Sequence, residues 1–451
     1  MSRNATKDLT TGSPMKLILG FGIPLLFGML FQQFYNMMDT IIVGKFLGVS
    51  ALASVGATGS INFMIIGFCT GVCSGFSIPV AQKFGAGDHH GLRCFVANAG
   101  WLSLIFSVVM TLVVCFLCMD ILRWMNTPDD IIQGAYDYIF IIFAGIPVTY
   151  LYNILAGIIR SLGDSRTPVY FLLLSSVINI FLDLFTILVM GMGVDGAAYA
   201  TVISQAVSGV LCFFYMRAHF PILKMSKDET RFNLGMIKIL CGIGIPMGLQ
   251  YSITAIGSVI LQTAVNGLGS LYVAAVSAGN KITQFFCCPF DALGATMATW
   301  AGQNVGAGKF GRVREGVKYA SIIGCVYAVI AFLVLTFFGR YLALLFLDAD
   351  ETATIGNVAL FLFGNSMFYI PLVFVNVVRF SIQGMGFSKF AILAGVFEMC
   401  ARTFAGMCLV PIFRYPAARF ASPMAWIAAD IFLIPAFRYC LRKCAASGST
   451  L

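Results

Sequence analysis

Charge is what this sequence has least of. Asp, Glu, Lys and Arg make up only 10% of its 451 residues, against 59% hydrophobic. A soluble chain of that length covers its surface with about a quarter charged residues, so a water-soluble globule is excluded. Histidine is almost absent, limited to His89, His90 and His219. The chain has no H-E-x-x-H and no G-x-S-x-G, and both classes of hydrolase lose their nucleophile machinery with them. An enzyme is not expected. The 14 cysteines are scattered, mostly inside apolar runs (Cys69, Cys73, Cys115, Cys118, Cys212), and no C-x-x-C pair stands near a histidine. They read as small packing residues. No apolar run with a small-residue cleavage site opens the chain, so no cleaved signal peptide is expected.

What is present in abundance is apolar runs of about 20 residues, each the length a helix needs to cross a bilayer. In lipid such runs must be helical, because helices satisfy their own backbone. The fold class expected is therefore an all-α membrane protein of twelve transmembrane helices. The spans read as 15–38, 52–80, 94–118, 131–158, 168–190, 196–217, 236–265, 272–300, 316–338, 354–379, 388–411 and 421–440. The longest charged connection, with Lys224, Lys227, Asp228, Glu229 and Arg231, divides the chain. This predicts six-helix bundles at 1–218 and 236–451, joined by a cytoplasmic linker at 219–235. The net charge of +9 is not gathered in one stripe, so no nucleic-acid partner is expected. Instead 21 of the 28 Lys and Arg, from Arg3 and Lys7 to Arg442 and Lys443, fall in alternate connections. Five (Lys45, Arg123, Arg340, Arg414, Arg419) fall in the others, which predicts both termini inside.

Within this apolar background a few polar residues stand out. Asp183 lies in SSVINIFLDLF, Ser175 to Phe185, with Asn179 one helical turn before it. An Asp at mid-membrane costs about 2.5–3.5 kcal/mol on translocon scales. It is either a structural acid tied to a neighbouring amide or a cation or proton site. Gln32, Asn36 and Asp39 share one face of span 1, where Asp39 is either an interfacial carboxylate or part of a site. Glu398 and Arg402 are four apart and can pair within span 11, while Asp291 and Lys281 are placed to face a cleft from span 8. Pro24 predicts a hinge in span 1, because proline removes a helical hydrogen bond; a static kink is the alternative.

The chain also repeats itself. QKFGAG (Gln82 to Gly87) returns as QNVGAG (Gln303 to Gly308), Leu47-Gly48 as Leu268-Gly269, and Gly22-Ile23-Pro24 as Gly244-Ile245-Pro246. SLGDS (Ser161 to Ser165) has its counterpart in GMGFS (Gly384 to Ser388). Six spans per half give a parallel repeat, two bundles related by an axis along the membrane normal. The doubled Q-x-x-G-A-G, the two GIP openings and DTIIVG (Asp39 to Gly44) resemble the multidrug and toxic compound extrusion family, MATE, from about Gly12 to Lys443.

That resemblance implies a twelve-helix antiporter, a monomer in the cell membrane of a prokaryote. It would export organic cations and other amphipathic small molecules by alternating access, in exchange for Na+ or H+, with membrane lipid as its other partner and no cofactor. It further implies that Asp39, Asn179, Asp183 and Thr201 surround the coupling ion, as oxygen ligands suited to a hard cation; no other metal site is expected. Gln32, Asn36, Tyr138, Asn153 and Asp291 are the candidate substrate-cavity residues. One branch of the family carries acids in helices 7 and 10, and 236–265 and 354–379 hold none, so the other branch, coupled through the N-terminal half, is expected. The alternative function is a flippase for a lipid-linked precursor, which would be expected to show a basic cavity.

Overall fold

The computed structural model describes residues 6–125 and 127–447, the side chains of Val49 and Ser447 excepted; Arg3, counted above on the inner side, lies outside them. Among the described residues every regular element is helical. In chain order the long helices are α1 (Pro14–Leu47), α2 (Gly59–Gly85), α3 (His89–Phe116), α4 (the bent pair Asp129–Ala144 and Ile146–Ser161), α5 (Arg166–Val189) and α6 (Val194–His219). They continue with α7 (Leu234–Asn266), α8 (Ser270–Gly306), α9 (Phe310–Ala343), α10 (the bent pair Thr352–Ser366 and Tyr369–Gly384), α11 (Ser388–Phe413) and α12 (Tyr415–Ser447). Nine of these are single helices long and apolar enough to cross a membrane, and each bent pair makes one more span. The 37-residue α8, placed outside that group by its composition, completes a set of twelve long elements among the described residues. Phe116, Phe181, Val189, Phe337 and Leu345 are largely exposed, as lipid-facing residues are.

Both halves carry the same irregularities. α4 bends by 45° and α10 by 50°. α5 closes in a π-helical stretch, Phe185–Val189, and α11 carries one at Ala405–Leu409. The turn glycines Gly163 and Gly386 hold φ of 91° and 92°, a region where a side chain would collide with its own backbone. Short polar connections cap the helices: Asp88 Oδ1 accepts from Gly91 N–H at 2.8 Å, and Asp164 Oδ1 from Arg166 and Thr167 N–H at 3.0 and 3.1 Å.

The helices group into two compact units, which do not divide at the linker alone. The first holds Phe27–Tyr251 with residues 6–8; the second holds Leu9–Leu26 and the residues from Ser252 on. The opening stretch of α1 thus belongs with the C-terminal helices, and that of α7 with the N-terminal ones. Glycine explains the exchange. In the first unit a Cβ on Gly75 would come within 2.5 Å of Gly244 Cα, and one on Gly71 within 2.6 Å of the Met247 carbonyl. Backbones approach this closely only along small residues. In the second unit Gly22, the counterpart of Gly244, lies against Thr296 of α8, 3.1 Å from a built Cβ. The two GIP openings therefore do the same job, each seating its helix on the second helix of the opposite half.

Candidate functional site

The site is built in the first unit, where α5 and α6 run antiparallel. Their register is set by hydroxyl-to-backbone bonds. Ser208 Oγ donates to the Phe171 carbonyl at 3.0 Å, and Ser175 Oγ to the Ser204 carbonyl at 2.8 Å. The next step brings Asn179 to Thr201, with Nδ2 donating to Oγ1 at 3.4 Å. α1 packs alongside, touching α5 at Gly28, where a Cβ would lie 2.9 Å from Val169. From there Tyr35 and Asp39 reach the same level of α5: the Tyr35 hydroxyl is 3.1 Å from Thr201 Oγ1, and the Asp39 carboxyl faces that of Asp183. Tyr138 of α4 lies within electrostatic reach of Asp39, Tyr35 and Asp183.

The electrostatics of this group are one-sided. Asn179 and Asp183 are wholly buried, at 0% exposure, and Tyr138 is buried. Asp39 Oδ1, Asn179 Oδ1 and both carboxyl oxygens of Asp183 are buried and accept no hydrogen bond from any described donor. The two carboxyls lie close enough to share a proton, yet no hydrogen bond of ordinary geometry ties these three oxygens to a partner. Unpaired buried acceptors are costly. A hard cation, which prefers carboxylate, amide and hydroxyl oxygens, can relieve all four at once, and a proton shared between the carboxyls relieves two of them. The residues therefore fit a coupling ion as cargo. No group of three or more His, Cys, Asp or Glu elsewhere among the described residues is placed to hold a metal.

The structure brings Asp39, Asn179, Asp183 and Thr201 together and adds Tyr138, which the sequence reading had placed in the substrate cavity. It also adds Tyr35, which that reading missed although it stands one turn before Asp39. Among the described residues, none of the remaining candidates is hydrogen-bonded to this cluster through its side chain. Gln32 and Asn36 are exposed on α1, and Asp291 is exposed on α8 in the second unit. Asn153 is half-buried and donates to the Thr149 carbonyl at 2.9 Å. Lys281 is exposed and stacks over Phe346, 5.8 Å from the ring centre. Glu398 and Arg402 do approach, at 3.6 Å, but the close partner of Glu398 is Arg379 of α10. All three are buried, and Asp430 of α12, also buried, lies near Arg379 and Glu398.

Comparison with known proteins places this architecture. The MatE family profile matches residues 24–185 and again 246–405, once in each half. The chain is 30% identical over 375 residues to the probable multidrug resistance protein YpnP of Bacillus subtilis (strain 168), covering 82% of each. It is 29% identical over 362 residues to the probable multidrug resistance protein YoeA of the same organism, covering 77% of this chain and 78% of that one. Among solved structures, a crystal structure of MATE in complex with MaL6 superposes with a TM-score of 0.90 at 23% identity, over 100% of both chains. With two family repeats in register and twelve helices in the matching arrangement, the chain belongs to the MATE family of multi-pass membrane transporters.

Proposed function

We propose that this protein is a cation-coupled exporter of organic cations and other amphipathic compounds, driven by Na+ or H+ taken up at Asp39, Asn179, Asp183 and Thr201. The observation that carries this reading is the set of four buried oxygens without a donor. Two facing carboxylates repel when both are charged, and binding a proton or Na+ relieves that repulsion. Tyr35 and Tyr138 close the same site from α1 and α4, so ion occupancy changes the contacts of both helices with α5. A conformation that favours the ion must in turn be favoured by it. Pro24 lies four turns before Asp39 on α1, and a change of bend there would carry the local event along the helix. The multidrug resistance proteins it resembles support the substrate class, and the distribution of Lys and Arg supports both termini lying in the cytoplasm.

The test is export of ethidium from proteoliposomes under separately imposed Na+ and H+ gradients. Export that follows one gradient and stops when it is collapsed is the expected result. Export indifferent to both gradients would overturn the coupling.

A further inference from the structure

Arg160 lies in the last turn of α4, inside the first unit, with its side chain half-buried. Counted above on the inner side, two residues past the expected end of the span, its guanidinium is nevertheless packed among helix side chains, where a charge is costly unless a partner or water compensates it. Among the described residues the salt bridges are those of Lys83, His90, Arg93, Arg231, Arg379 and Arg402, and no carboxylate pairs with Arg160. The groups within electrostatic reach of it are Tyr152 of α4, Cys212 of α6, Cys73 of α2 and Tyr251 of α7. All are phenols or thiols, neutral at pH 7 in their ordinary state. The Tyr152 hydroxyl donates to the Pro168 carbonyl at 3.2 Å, so its proton is already placed.

The internal repeat supplies a control within the same chain. Gly163 N–H donates to the Arg160 carbonyl at 2.9 Å, and Gly386 N–H to the Gln383 carbonyl at 2.8 Å. The backbone of the two turns is the same, with a neutral amide in one copy where the other has a cation. A helix end that required positive charge, for its dipole or to reach water, would require it in both. The turn thus folds with or without the charge, and what the guanidinium faces is set by the helices of the first unit around it.

We propose that Arg160 is an oxyanion-binding point, taking a phosphate or carboxylate group carried by a transported solute or by a lipid headgroup. A guanidinium pairs with either group through two parallel N–H bonds, and a bound oxyanion meets no carboxylate among the four neighbouring side chains. This rests on the exporter reading and extends its substrates beyond cations.

The test uses two solutes that differ only by a phosphate, flavin mononucleotide and riboflavin. Their binding is measured on the purified full chain in maltoside detergent, for wild type, Arg160→Gln and Arg160→Lys. Wild type should prefer the phosphorylated flavin by about tenfold, the size of one good charge-assisted contact. Gln, which copies position 383, should abolish the preference, and Lys should keep part of it. In parallel, native mass spectrometry counts phosphatidylglycerol retained through purification. No flavin preference, but lipid retained by wild type and lost in Arg160→Gln, assigns the site to a lipid headgroup. If Arg160→Gln matches wild type in both assays, the proposal is overturned. Wild-type ethidium export tests the exporter reading separately: its failure alongside an intact flavin preference would sink that reading and leave the site standing.

Discussion

Asn179 commits its amide to Thr201, and its carbonyl oxygen is left without a donor. That single choice makes it half of the proposed ion site, because the buried carboxylate one turn later is equally short of donors. The i, i+4 spacing of Asn179 and Asp183 was legible in the sequence, since Asp183 is the one charged residue between 168 and 190. Tyr35 was not, because a tyrosine among so many aromatic residues carries no signal until its hydroxyl is seen 3.1 Å from Thr201. Likewise the Glu398–Arg402 spacing pointed to a pair within one helix, whereas the tighter partner, Arg379, comes from another helix 19 residues away. No local pattern predicts that. With Arg379 and Arg402 both leaning on it, removing the charge of Glu398 leaves two buried guanidiniums with only the Asp430 carboxyl nearby to offset them. Glu398→Gln should cost on the order of 3–5 kcal/mol, read as a lowered melting temperature in detergent. An unchanged melting temperature would mean that the network contributes little to stability.

At the scale of elements, glycine and proline decide which helix segments can meet. Gly67, Gly71 and Gly75 recur every four residues on one face of α2, and the last two give the backbone of α7 room at Gly244 and Gly248. Gly75→Leu should therefore fail to accumulate as folded protein, because at 2.5 Å the obstacle is backbone, which cannot move aside as a side chain would. Normal yield and monodispersity on gel filtration would contradict the seam. The GIP opening was visible as a repeat, but its purpose was not. A repeated motif says that two segments are alike without saying what each lies against. Pro24 makes a further prediction at this scale. Spin labels on α1 either side of it, at Leu17 and Phe31, should change separation between Na+-free neutral buffer and Na+-containing or acidic buffer. Pro24→Ala should shrink that change, and equal distances in all conditions would leave a static kink.

For the whole molecule, the number of spans and the internal repeat were legible, since each depends on runs of residues and not on single contacts. The edges were less so: α1 continues to Leu47, nine residues past its expected end, because its last two turns, though partly polar, remain helical. The linker, expected as a solvated segment, is in fact docked. Glu229 accepts from Ser226 N–H at 2.8 Å, Arg93 Nε at 2.8 Å and His90 Nδ1 at 2.9 Å. The Ser226 amide first, then Arg93 and His90, hold its carboxyl down to about 2. A carboxyl held below its ordinary value of about 4.3 contributes fully above that value and loses its contribution as pH falls through about 2. Trp101, whose indole N–H donates to the Thr230 carbonyl at 3.0 Å, reports the docking. Its emission, taken as the difference from Trp101→Phe, should hold from pH 7 to about 4 and shift to the red only below. Glu229→Gln should show the shifted emission already at pH 7, and wild-type emission in that variant would show that the carboxylate does not hold the linker.

The central claim is that coupling resides in the first unit, at the donor-less oxygens around Asp183, and not at the exposed Asp291 of the second. Its most direct test is gradient-driven ethidium export by Asp183→Asn and Asp291→Asn, reconstituted at equal density beside wild type. Asp183→Asn should lose gradient-driven export by about tenfold or more, the effect of removing one strongly bound charge, while Asp291→Asn keeps most of it. Full coupling in Asp183→Asn, or an equal loss in Asp291→Asn, would contradict the account.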